Sequence, residues 1–223
     1  SFGGNNILFG PVIEDCLDLK DLWGAVVYEG CSTSEQRLRE RVEMLAGTRP
    51  IVDGEFDGVM TLPELYDEVA AAMRPGGHVM VVGYPHLIEE PERWSSWIQR
   101  RSLGCQGILK DDVRMLRSVT GYLNEQIGRA VLAADEEWAS KGVSFHFIDI
   151  STTVYETSAA GGDRHGLCAD DQWINGITTG VTSGDFRKER SFHPTQSGHT
   201  ATGRYLADLL RNTITFPPSC DAA

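Results

Sequence analysis

The sequence predicts an α/β fold built on a parallel sheet, and three observations carry that prediction. Apolar residues recur at helical spacing in several separate segments, short apolar runs bounded by glycine stand between them, and the two types alternate along the chain. Strands separated by long helices cannot pair through tight hairpins, so they pair in parallel and the helices cover the sheet. Ser32 and Glu35 form a capping-box pattern, followed by Leu38, Val42 and Leu45 at helical spacing and a stop at Gly47. Leu62 to Met73 reads as a second amphipathic helix, ended by Pro75-Gly76-Gly77. His78 to Gly83 is an apolar run closed by Tyr84-Pro85 and reads as a buried strand. Between residues 110 and 140, Val113, Leu116, Leu123, Ile127, Val131 and Leu132 form one stripe, as expected of a long helix covering a sheet face. Val143 to Ile150 is the next strand and Thr200 to Asn212 the closing helix. The connection from Ser151 to Arg190 is long and rich in glycine and threonine, and such loops are often functional.

Composition narrows the class further. A chain of 223 residues buries one sizeable core, so residues 1–223 are expected to form a single domain. A hydrophobic content of 41% excludes disorder, and no apolar run reaches the roughly 18 residues of a membrane span, so no transmembrane segment is expected. The net charge of −12 argues against a nucleic-acid partner or an anionic membrane surface, both of which need basic patches. Cysteines stand at positions 16, 31, 105, 168 and 220 with no Cys-x-x-Cys spacing, which disfavours a structural zinc site. Composition alone leaves buried thiols and disulfides both open. Asp53-Gly54-Glu55-Phe56-Asp57-Gly58 lacks the ligand spacing of a calcium loop, and no metal or other cofactor is expected.

Two motifs carry chemistry. Ser191-Phe192-His193-Pro194-Thr195-Gln196-Ser197-Gly198-His199 holds a histidine on a proline-stiffened loop just before a helix. Gly3-Gly4-Asn5-Asn6 is a glycine-rich turn presenting an amide side chain. Ligands of open α/β sheets bind beyond the carboxyl ends of the strands. The turn follows a strand stub at Ser1-Phe2 and the histidine loop enters the last helix, so both should reach that edge. Acyl transfer needs a hydroxyl, a base to take its proton and donors aimed at the developing oxyanion. In order and separation, together with the strand end Val81-Val82-Gly83-Tyr84-Pro85, these blocks resemble the SGNH (GDSL-type) serine esterases and lipases, particularly their secreted actinobacterial branch. The resemblance runs from Gly3 to about Leu210. It implies a three-layer, flavodoxin-like fold and ester hydrolysis through an acyl-enzyme. His193 would be the general base and Asn5 an oxyanion donor in the turn made by Gly3 and Gly4. The substrates implied are lipid or small-molecule esters. The resemblance also implies a short disulfide Cys16–Cys31 and a long one Cys105–Cys168, leaving Cys220 in a tail after Pro217-Pro218. Two disulfides imply an oxidising compartment, hence secretion.

The chain departs from the family pattern in three places. Asn6 stands where the family has aspartate. Arg190 stands where Asp-x-x-His would put the carboxylate that orients the base. Some secreted members use a backbone carbonyl instead, and here that carbonyl would belong to Arg190 or Ser191; Asp170 or Asp171 on the long disulfide loop is the other possibility. The third departure is the nucleophile block Gly-Asp-Ser-x-Ser, which precedes the Gly-x-Asn turn in the family and does not occur here. The expectation is that the first strand and helix are missing and that a companion N-terminal segment carries the serine. Two other readings stand beside this one: a catalytically inactive domain of the same fold that binds lipid or carbohydrate, and an N-terminal-nucleophile hydrolase using Ser1. Among the remaining histidines, His146 reads as a strand residue and His199 as a packing residue of the last helix. Trp94, Trp97 and Trp173 are candidates for an apolar or sugar-stacking rim, although tryptophan at a core edge is commoner.

Overall fold

The computed structural model describes residues 31, 35–51, 58–94, 105, 108–156, 165–176 and 192–213. The first helix, α1 (Glu35–Leu45), buries Leu38, Val42 and Leu45, and Gly47 takes the left-handed conformation (φ 73°) that ends it. The cap expected at Ser32 lies outside the described residues. Helix α2 (Leu62–Ala72) starts with a capping box of its own. The Thr61 side chain accepts from the Glu64 N–H, and the Glu64 carboxylate accepts from the Thr61 N–H at 2.8 Å. Strand β1 (Gly77–Val82) follows, then the long helix α3 (Lys110–Trp138), strand β2 (Val143–Ile148) and the closing helix α4 (Gln196–Thr213).

The two strands pair in parallel, in register from Gly77 opposite Val143 to Val82 opposite Ile148. Alternation along them sorts side chains to opposite faces. Val79, Val81 and Phe145 pack with the apolar faces of α1, α2 and α3. Met80, Val82 and Ile148 pack with Tyr205, Leu206 and Leu209 of α4. Helices therefore cover both faces, which makes the expected three layers. Gly128 lets α3 settle on the sheet: a Cβ there would lie 3.2 Å from the Phe147 ring.

A third apolar cluster gathers Ile88, Trp94, Ile108, Val113 and Leu167 around the disulfide Cys105–Cys168, the pairing expected from the family resemblance. Cys31 is disulfide-bonded as well. Its expected partner Cys16 lies outside the described residues, as does Cys220.

Four expectations need correcting. Leu132 is 65% exposed, because the buried stripe of α3 runs through Val113, Leu116, Leu123, Ile127, Val131 and Ala134 and leaves position 132 a step of about 100° off it. Strand β1 is mostly half-buried rather than buried; among the described residues only β2 pairs with it. Strand β2 stops at Ile148, two residues early, because the Asp149 carboxylate accepts from the Ser151 N–H at 2.9 Å and starts the π-helical turn Ser151–Tyr155. Helix α4 begins at Gln196 rather than Thr200. Thr195 caps it, its hydroxyl accepting from the Gly198 N–H at 3.3 Å and its carbonyl from the His199 N–H at 2.9 Å.

Candidate active site

Both strands of the parallel sheet run toward the same edge, and the chain beyond them carries the polar side chains that could do chemistry. After β1 come Gly83-Tyr84-Pro85-His86, and after β2 come Asp149 and the turn ending at Tyr155. The segment 165–176 lies against both. The Leu167 N–H donates to the Leu87 carbonyl at 2.9 Å, the Glu89 N–H to the Leu167 carbonyl at 3.0 Å, and the His165 N–H to the Tyr155 carbonyl at 3.2 Å. The disulfide at Cys168 ties the same segment to the core.

The far end of that segment holds His193. Antiparallel pairing joins residues 173–175 to 192–195: Phe192 N–H donates to Asn175 O at 3.0 Å, Asn175 N–H to His193 O at 2.9 Å, and Thr195 N–H to Trp173 O at 2.7 Å. Phe192 takes a left-handed conformation (φ 63°) as the chain turns into this pairing. His193 itself is exposed. Helix α4 then starts against the same structure at Gly198. A Cβ on Gly198 would lie 2.7 Å from the Tyr155 hydroxyl and 2.8 Å from the Trp173 carbonyl, so only glycine permits this approach.

Two polar clusters flank the loop. His165 is buried and lies flat on Trp173, ring centroids 3.4 Å apart. Asp171 serves that pair: its carboxylate lies 3.3 Å from His165 Nδ1 and accepts from the Trp173 indole N–H at 3.1 Å. The carboxylate considered as an orienter for His193 thus engages His165 instead, and Asp170 is exposed. The second cluster joins His86, Glu156 and Arg117. His86 Nδ1 lies 2.8 Å from the Glu156 carboxylate, and Arg117 donates to the same carboxylate at 2.7 Å and to the Ile88 carbonyl at 2.9 Å. Burial pushes the Glu156 carboxyl up, but hydrogen bonds from His86 and Arg117 and their charges outweigh it and bring it down to about 2. It stays ionised at neutral pH. Burial also raises the Tyr155 phenol above its ordinary value.

Of the residues expected to act, His193 is described. Asn5, Gly3, Gly4, Arg190 and Ser191 lie outside the described residues. Trp94 is not a rim residue: it is fully buried and donates its indole N–H to the Glu89 carbonyl at 2.8 Å. Trp97 lies outside the described residues, whereas Trp173 is half-buried beside the His193 loop. His199 is exposed rather than packed, one position past the glycine that makes the close contact. His146 is a strand residue as expected, with its Nε2 2.9 Å from His78 Nδ1 on the neighbouring strand. Sequence reading missed Asn175, His165 and the His86–Glu156–Arg117 cluster. Gly198 was in view inside the histidine motif, yet its role depends on Tyr155 and Trp173. Among the described residues, no group of three or more His, Cys, Asp or Glu side chains could hold a metal ion, and no helix is long and apolar enough to cross a membrane.

No protein-family model and no curated protein matches the sequence. Solved structures do match. Phospholipase A1 from Streptomyces albidoflavus is similar over 92% of this chain, at a TM-score of 0.52 and 19% identity. An extracellular lipase from Streptomyces rimosus is similar over 95% of it, at a TM-score of 0.50 and 18% identity. The chain spans 65% of the first protein's length and 66% of the second's. At these identities the likeness speaks to architecture alone, and the chain shares the α/β fold of those two enzymes.

Proposed function

We propose that this chain comes from a secreted carboxylic ester hydrolase of the SGNH type that works through an acyl-enzyme. The observation that carries the reading is the fold it shares with a phospholipase A1 and a lipase, and the exposed His193 on a loop pinned beyond the sheet's carboxyl edge supports it. In this reading His193 is the general base, taking the proton of an attacking serine and returning it to the leaving alcohol. Asn5, in the turn of Gly3 and Gly4, donates to the developing oxyanion. A carbonyl of Arg190 or Ser191 holds the imidazole in place of the carboxylate that Arg190 replaces. A Gly-Asp-Ser-x-Ser block that would carry that serine does not occur in residues 1–223. The buried disulfide Cys105–Cys168 and a second bond at Cys31 support secretion.

Ester turnover tests the assignment. His193→Ala is expected to lower kcat by several orders of magnitude with folding intact. Asn5→Ala is expected to cost about 10²–10³ in kcat with little change in KM, as loss of one oxyanion donor does elsewhere. Near-native turnover by His193→Ala would overturn the reading.

A further inference from the structure

We propose that Asn175 is a positioning residue for His193, gripping the backbone beneath the imidazole; the inference rests on the esterase reading above for its catalytic meaning. Asn175 makes four hydrogen bonds to this loop. Its N–H donates to the His193 carbonyl at 2.9 Å, its side-chain amide donates to the same carbonyl at 3.0 Å and to the Pro194 carbonyl at 3.3 Å, and its own carbonyl accepts from the Phe192 N–H. The His193 carbonyl thus receives two donors from one residue. That fixes the peptide plane after His193 and, with it, the direction in which the Cα–Cβ bond projects the ring.

The loop needs such a grip from outside. Pro194 supplies no N–H, so the turn has one fewer donor with which to brace itself. Phe192 sits at φ 63°, a left-handed conformation that a non-glycine residue keeps only where its neighbours hold it. The grip is itself anchored: Asn175 ends the segment tied down by Cys168, by the His165–Trp173 stack and by Ile174, which is buried against Tyr155 and Ile148. Where the family's aspartate would steer the base by holding its ring, Asn175 steers it by holding its main chain. Only an amide does this. A carboxylate of the same shape would face two carbonyl oxygens with no proton to offer.

Two variants of the full chain test the proposal. In Asn175→Ala and in the isosteric Asn175→Asp, kcat is expected to fall on the order of tenfold to a hundredfold with KM nearly unchanged, the signature of a misplaced base. The ring ¹⁵N resonances of His193 should move in both variants while those of His78 and His146 stay in place. If Asn175→Ala fails to fold, Asn175→Asp carries the same test. Native kcat with unmoved His193 resonances would overturn the proposal. Absence of ester turnover in native protein that carries a fluorophosphonate-reactive serine would instead overturn the functional reading, and the His193 resonances would then decide alone whether Asn175 positions the ring.

Discussion

The helix–sheet body and the segment that carries His193 sit side by side but keep their shapes by different forces. In the body, α1, α2 and α3 bury Val42, Leu45, Leu62, Leu123 and Ile127 against each other and the sheet, an apolar packing spread over many interchangeable contacts. At the carboxyl edge, residues 165–176 and 192–199 are held by a short ladder of backbone hydrogen bonds, one asparagine, one stacked histidine–tryptophan pair, one disulfide and one tight glycine contact. Hydrophobic packing tolerates small changes of shape, whereas directed hydrogen bonds do not. The comparison teaches that stability and placement of the base are separable: changes in the body should alter how much protein is folded, and changes at the edge should alter what folded protein does.

The largest expected effect that would break this separation lies in the core. Leu123 of α3 is buried among α1, α2 and the sheet, so Leu123→Ala is expected to cost about 2–5 kcal/mol in a denaturant titration, while turnover per folded molecule stays near native. A collapse of kcat in the folded fraction would show that body and edge are not independent.

Next comes the buried ion cluster that joins them. Glu156 is held near 2 against an ordinary value of 4.5, so the group contributes stability above pH 4.5 and loses it as pH falls from about 4.5 to about 2. The amount at stake is on the order of 2–3 kcal/mol. Arg117 and His86 contact it, and Glu90 reaches Arg117 at 3.5 Å. Urea titrations between pH 6 and pH 2 should therefore show a fall in stability that Glu156→Gln flattens. Equal slopes in the two proteins would remove Glu156 from the clasp.

The part of the molecule legible in the sequence follows the same division. Leu38, Val42 and Leu45 mark α1 because helical periodicity is local, and the parallel pairing followed from helices standing between apolar runs. Leu132 was assigned to the wrong face because two adjacent apolar residues at 131 and 132 cannot both lie on one narrow stripe. The ends of β2 and α4 were misjudged because Asp149 and Thr195 settle them through side-chain hydrogen bonds that compete with the periodic pattern. The histidine loop was visible as a motif, but its support was not. Asn175 reaches across 18 residues to His193, and Gly198 is required by Tyr155, far back along the chain. No window of local sequence contains both partners of either contact.

Gly198 offers the smallest expected effect on stability and the sharpest on the comparison. Gly198→Ala should cost about 1–3 kcal/mol, since a methyl group must displace the Tyr155 hydroxyl or the Trp173 carbonyl. Its effect on kcat should exceed that of Leu123→Ala, because the displaced Trp173 carbonyl belongs to the ladder that holds His193. The reverse order of kcat effects would break the distinction between the two regions.

Whether His193 serves a serine in ester hydrolysis is tested most directly by covalent labelling. A fluorophosphonate applied to the native protein, followed by peptide mapping, should place the adduct on a serine other than Ser1, and His193→Ala should abolish the labelling. An adduct on Ser1 would contradict the account in favour of N-terminal catalysis. No adduct at all, in folded protein with an intact His193, would contradict it in favour of a binding domain.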